Sequence, residues 1–271
     1  MNTRTVILTG AAGGIGRAVA HRFAAEGCRL SLVDMQGPSL AALSGELSDR
    51  YGADCLNLPG DLADADFLAH VAAATEARFG RIDVLVSNAA WRSLESLRHI
   101  GIDAWRRTLD VCLTAPAFLG RHAAEVMART GTGGVIVNVS SMMSDRPAGN
   151  SPAYIAAKAG LEGLTREMAV TYGRGGIRVV CVRPGFIDTG LSRDYETDAT
   201  ARGLADRLGG YLTEATPLTG PGRPEDVAEA IAWLASPAAA FITGTCLTVD
   251  GGFTHNLNSY PLKHLQFPDE Y

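Results

Sequence analysis

Apolar residues follow two alternating rhythms from the N-terminus onward. Short runs rich in Val, Ile and Leu, such as T-V-I-L-T at 5–9, give way to stretches like 14–26, where apolar positions recur every three or four residues. The first rhythm predicts a buried strand and the second an amphipathic helix. Continued along the chain, it predicts strands at 5–9, 29–33, 54–58, 84–87, 135–139, 178–182 and 246–249. Helices are predicted at 14–26, 39–50, 64–79, 103–129, 152–173 and 225–235. Near-continuous apolar strands must be covered from both faces, so this order predicts an α/β domain with a doubly wound parallel sheet. Helix starts are marked by Asp103, by Ser151-Pro152, and by Pro224-Glu225-Asp226 with its acids at the positive end.

Two segments leave the rhythm. Residues 188–219 mix charges with Gly-Gly and a weak helical period, which predicts a substrate lid. After Gly252, residues 253–271 carry two prolines and no clear period, yet hold Leu257, Tyr260, Leu262, Leu265 and Phe267. That C-terminal tail is read either as docked across the subunit or a neighbour, or as a disordered extension. No repeat or low-complexity linker divides residues 1–252, so one domain is expected.

Composition narrows the function classes. The 271 residues carry a net charge of −5 and no basic run longer than Arg106-Arg107. Neither nucleic acid nor an anionic membrane is therefore an expected partner. The five cysteines include no C-x-x-C pair and the six histidines no H-E-x-x-H pattern, so neither a disulfide framework nor a metal site is expected. Gly10 breaks the N-terminal apolar run too early for a signal peptide. The apolar stretch 227–242 contains Glu229 and Pro237 and falls short of the ~20 residues of a membrane span. A cytoplasmic protein in a reducing compartment is expected.

The chemistry starts at T-G-A-A-G-G-I-G, residues 9–16, which ends the first strand and opens the first helix. Gly10, Gly13, Gly14, Ile15 and Gly16 suit a tight turn that brings backbone against a pyrophosphate at the helix N-terminus. Asp34 ends the second strand 18 residues after Gly16, where a carboxylate can bond the adenosine ribose hydroxyls. It would repel a ribose 2′-phosphate, and Met35 and Gln36 supply no basic partner, so NAD is expected over NADP. Arg17 is near in sequence but belongs to the helix after the loop. Further on, Y-I-A-A-K places Tyr154 and Lys158 four residues apart on one helix face. A free phenol is a poor base at neutral pH, and an ammonium beside it favours the phenolate.

Taken together, T-G-x-x-x-G-I-G at 9–16, N-A-A at 88–90, S-S at 140–141, Y-x-x-x-K at 154–158, R-P-G-F-I-D-T at 183–189 and V-D-G-G at 249–252 resemble the short-chain dehydrogenase/reductase family. The resemblance implies a single-domain Rossmann fold with a seven-stranded parallel sheet. It also implies hydride transfer between NAD and a small-molecule alcohol or ketone. By position, Tyr154 corresponds to the general acid/base, Lys158 to the residue on the nicotinamide ribose, and Ser141 to the partner of the substrate oxygen. Asn88 corresponds to the asparagine beside the cofactor, and Asp61 to the adenine contact, with Leu62 also on the cofactor. Pro184, Gly185, Ile187 and Thr189 correspond to the nicotinamide side, Ile187 and Thr189 to its carboxamide contacts. A homotetramer built through 103–129, 152–173 and the last strand is implied as well.

Two positions depart from the family pattern. Asn88-Ala89-Ala90 stands where N-A-G is common, and W-R-R-T-L-D-V-C-L puts Cys112 where the family has an asparagine that holds a proton-relay water. A thiol cannot hold a water as an amide does. Substrate-facing candidates are Trp91, Arg92, Met142, Met143, Asn150 and Phe186. They lean to a sugar, polyol or related secondary alcohol, with a steroid-like or acyl alcohol as the alternative. An NAD-binding protein with weak or no turnover, caused by Cys112, is the alternative from another class.

Overall fold

The computed structural model describes residues 3–131, 133–190, 203–258 and 260–270. In chain order the elements are β1 (Thr5–Thr9), α1 (Gly14–Ala25), β2 (Arg29–Asp34), α2 (Gly37–Tyr51), β3 (Cys55–Pro59), α3 (Ala65–Phe79) and β4 (Val84–Ser87). There follow α4 (Ile102–Leu109), α5 (Ala115–Arg129), β5 (Gly134–Val139), α6 (Pro152–Tyr172), β6 (Ile177–Pro184), α7 (Leu204–Ala215), α8 (Pro224–Leu234), β7 (Cys246–Val249) and α9 (Tyr260–Gln266). The strands form one sheet in the order 3-2-1-4-5-6-7, and every pairing is parallel.

Alternation along β1 divides the core in two. Val6 and Leu8 join α1, α2 and α8 on one face, while Ile7 joins α3, α5 and α6 on the other, and all three side chains are fully buried. Strand order reverses at β1, which has β2 on one side and β4 on the other. The loops after β1 and β4 therefore part at the carboxyl ends of the strands, leaving a crevice suited to a ligand.

The region predicted as one helix over 103–129 is two, α4 and α5, joined by a π-helical turn at Asp110–Thr114 that contains Cys112. Helix α4 is entered from Gly101, and Asp103 sits inside its first turn instead of capping it. Ser151 precedes α6 as expected, but its buried hydroxyl makes no cap bond. Residues 191–202 of the predicted lid lie outside the described residues, while α7 gives 204–215 helical order. The start of the tail is docked on its own subunit. Asp250 accepts hydrogen bonds from the Thr254 N–H and hydroxyl, and Asn256 donates to the Ala215 carbonyl at 2.7 Å. Leu257 and Leu265 beyond it stay exposed.

Gly16 closes the first crossover. A Cβ there would lie 2.0 Å from the Gly10 carbonyl oxygen, which is backbone and cannot step aside cheaply. Gly16→Ala is expected to destabilise the protein by about 1–3 kcal/mol, read as a lowered Tm. An unchanged Tm would show that the glycine loop and α1 are not packed as described.

Candidate active site

A cavity of about 490 Å³ opens in the crevice. From the β1–β3 half of the sheet it is lined by Gly10, Gly13, Gly14, Ile15, Asp34, Asp61 and Leu62. Asn88, Trp91 and Arg92 line it from the loop after β4. From the β5–β6 half come Ser141, Met142, Met143, Tyr154, Lys158, Pro184, Gly185, Phe186, Ile187 and Thr189. Gly16 and Asn150 are not on the wall. Gly16 packs under the loop, and Asn150 precedes α6 with its Oδ1 buried and unpartnered.

The glycine loop is shaped for close approach. Gly10 has φ +65°, and a Cβ there would lie 2.8 Å from the Ala89 Cα. The Asn88 amide donates to the carbonyls of Thr9 and Gly10 at 3.0 and 3.1 Å, pinning the loop to the end of β4. No side chain caps α1, whose Gly14 and Ile15 line the cavity, so its first-turn N–H groups suit a pyrophosphate. Asp34 accepts from the backbone N–H groups of Ala12 and Gln36, both at 3.1 Å, which holds its carboxylate on the wall. These residues fit a dinucleotide bound through its pyrophosphate and adenosine ribose.

On α6, Tyr154 and Lys158 share one face, and that face is buried. Lys158 is 1% exposed, and its ammonium donates to the Val139 carbonyl at 2.6 Å and lies 5.5 Å from the centre of the Tyr154 ring. Ser141 follows β5 and accepts from the Met143 N–H at 3.2 Å, so its hydroxyl caps the short turn over Met142–Ser144. The neighbouring Ser140 hydroxyl donates instead to Glu162 Oε1 at 2.8 Å.

Glu162 is a residue the sequence did not single out. One turn beyond Lys158 on α6, it accepts from Ser140, from Ser144 at 2.6 Å, and from the Arg183 guanidinium at 2.5 and 3.0 Å. Burial pushes its carboxyl up, but the hydrogen bonds from Arg183, Ser144 and Ser140 together outweigh that and hold it below the usual glutamate range. Through Ser140 and Ser144 it braces the segment that carries Ser141. Its carboxylate also lies beside the Cys181 and Cys246 thiols, and Cys246 and burial push the Cys181 thiol up. With Arg183 forked onto that carboxylate, the cluster is already charge-balanced without a metal ion.

Two long-range pairings alter the reading of the departures. The fully buried Cys112 thiol accepts from the Trp91 N–H at 3.4 Å and donates to the Trp91 carbonyl at 3.3 Å. Its partner is thus the backbone of a wall residue. Arg107 on α4 pairs with Asp61 at 2.6 Å and contacts the Met35 sulfur at 3.5 Å. A basic group therefore does reach the segment after Asp34, which the residues adjacent in sequence did not reveal. The Arg107 guanidinium holds the Asp61 carboxyl below its usual range. Ala90 lies exposed on the cavity wall.

Residues 10–254 match a family profile described as enoyl-(acyl carrier protein) reductase. The chain is 41% identical over 253 residues to a cis-4-hydroxycyclohexanecarboxylate dehydrogenase of Sinomonas cyclohexanicum, covering 93% of this chain and 96% of the relative. It is 35% identical to an L-rhamnose 1-dehydrogenase (NAD(P)(+)) of a Sphingomonas species, covering 94% of this chain and 97% of that one. The crystal structure of L-sorbose reductase from Gluconobacter frateurii, complexed with NADPH and L-sorbose, is similar with a TM-score of 0.87 at 28% identity. That match covers 95% of this chain and 98% of the other.

The Glu162 network can be tested without a substrate. Because the folded carboxyl is held low, its stabilisation is complete above the unfolded glutamate pKa of about 4.3 and is lost as pH falls through the lower folded value. Glu162→Gln is expected to cost about 3 kcal/mol near pH 7, with the gap narrowing in acid. Urea unfolding at a series of pH values measures it, and a gap that stays constant down to pH 3 would contradict the account.

Proposed function

The chain belongs to the short-chain dehydrogenase/reductase family, and from that premise we propose that it interconverts a secondary alcohol and its ketone or lactone with NAD, using Tyr154 as acid/base. It is an oxidoreductase of the alcohol dehydrogenase kind. The observation that carries the specific reading is that Ser141, Tyr154 and Lys158 line one cavity with the glycine loop and Asp34.

A nicotinamide dinucleotide bound there would accept or supply the hydride. In the oxidative direction the Tyr154 oxygen takes the hydroxyl proton and Ser141 holds the substrate oxygen. Lys158, fixed by the Val139 carbonyl, places its ammonium near Tyr154 and favours the phenolate that accepts the proton. Reduction runs the same path backwards. The reading as a binder with weak turnover is disfavoured, because Ser141, Tyr154 and Lys158 all line the cavity and Cys112 is engaged with Trp91 while Lys158 keeps its bond to Val139.

The preference for NAD over NADP is supported by Asp34, whose carboxylate is held by two backbone N–H groups where a 2′-phosphate would meet it. Arg107 does not offset this, since its charge is paired with Asp61. Trp91, Met142, Met143, Phe186, Leu208 and Leu212 make the substrate wall largely apolar, with Arg92 as its charged member. That lining supports a ring-borne secondary alcohol, of the kind that names the hydroxycyclohexanecarboxylate relative, ahead of an open-chain polyol. Exposed Phe118 on α5 and Val170 on α6 support assembly through those helices into a tetramer. Five free cysteines fit a reducing, cytoplasmic setting. Among the described residues no helix is long and apolar enough to cross a membrane.

Tyr154→Phe is expected to lower turnover of a secondary alcohol by about 100-fold or more, as loss of a general acid/base does, while NAD binding changes little. Retained turnover would refute the assignment of Tyr154. Steady-state kinetics of the wild type with both cofactors should give a higher kcat/KM with NAD, and a ratio favouring NADP would overturn the role given to Asp34.

A further inference from the structure

Around the segment after β2, the cavity wall carries two carboxylates, Asp34 and Asp61, in a site shaped for an anionic ligand. Two unpaired negative charges there would oppose the binding of a pyrophosphate. Arg107 changes that balance. It reaches from α4 to Asp61 at 2.6 Å and to the Met35 sulfur at 3.5 Å, so it joins the segments following β2 and β3 at one point. All three residues line the cavity.

The Asp61 carboxylate is fixed from both sides. Oδ1 accepts from the Ala63 N–H at 2.9 Å and Oδ2 accepts from Arg107. A carboxylate offers about four lone-pair sites, so each oxygen keeps one for a donor in the cavity. Its immobilised geometry makes it an acceptor of defined direction. A purine carrying an exocyclic amine satisfies such an acceptor, whereas one carrying a carbonyl at that position sets acceptor against acceptor.

We propose that Arg107 is a positioning residue for recognition of the cofactor's base: it neutralises and orients Asp61 so that the site selects adenine over hypoxanthine. The inference rests on the dinucleotide reading of the cavity and deepens it. Arg107 bonds Asp61 and contacts Met35, on the β2–β3 side of the cavity, and its effect is confined to binding.

Isothermal titration of the full-length protein with NAD and with nicotinamide hypoxanthine dinucleotide tests this, together with ADP-ribose as a ligand lacking nicotinamide. The wild type should prefer the adenine form by about 10-fold or more, the worth of one hydrogen bond to a charged group. Arg107→Ala should weaken NAD and ADP-ribose by about 10-fold and bring the base preference close to ~2-fold, with Arg107→Lys recovering part of both. Thermal melting confirms that each variant is folded. If Arg107→Ala weakens both dinucleotides equally and keeps the base preference, or binds as the wild type does, the proposal is overturned. A wild type that prefers NADP overturns the NAD reading alone. The base comparison is then made with NADP and its hypoxanthine counterpart, and erasure of the preference by Arg107→Ala supports the proposal in that case too.

Discussion

A fully buried ammonium is the constraint around which this molecule is arranged. The Lys158 side chain is 1% exposed, and an isolated charge at that depth is costly unless it is hydrogen-bonded. The Val139 carbonyl, at the last residue of β5, answers that requirement at 2.6 Å. Because α6 supplies Lys158 and Tyr154 together, this bond sets the height of the tyrosine above the sheet edge. The same bond keeps the end of β5 close to α6, where Ser141 begins the next loop. One turn along α6, Glu162 and Arg183 repeat the device with opposite signs and tie α6 to β6. One charged hydrogen bond and one ion pair on the same helix thus hold Tyr154 and Lys158 in register with the strands.

The sheet contributes the other half of the site through topology alone. Reversal of strand order at β1 separates the loops after β1 and β4 and leaves room for a dinucleotide. The glycine loop, pinned by Asn88, closes its floor. The wall is then set by contacts from α4 and the π-helical turn after it. Arg107 reaches one end of the cavity, and Cys112 grips the Trp91 backbone at the other. The π-helical turn places Cys112 on that backbone, so a residue that departs from the family pattern still has a defined mechanical role.

How much of this is legible in the sequence depends on the range of the interaction. Strands such as 84–87 and 246–249 are readable to the residue, because each is a short, mostly apolar run set off by turn-forming residues. The glycine loop, Asp34, Tyr154 and Lys158 were readable because their chemistry is written in short spacings. Helix ends were less so: Asp103 has the chemistry of a cap, yet Gly101 takes the position. The π-helical turn was hidden inside an unbroken helical period. Arg107 with Asp61, Cys112 with Trp91, and Glu162 with Arg183 were not legible at all. Each joins segments that only the fold brings together, and each residue type is commonplace on a helix. The absence of a basic partner near Asp34 was inferred from adjacent residues for the same reason.

The proposed reaction is direct transfer of a hydride across one cavity, with the proton handled by Tyr154. The most direct test uses a secondary alcohol substrate carrying deuterium on its carbinol carbon, incubated with the protein and NAD. The account predicts that the label appears at C4 of the nicotinamide in the reduced cofactor and is retained there in ordinary water. Label released to solvent, or cofactor reduced without label, would contradict it.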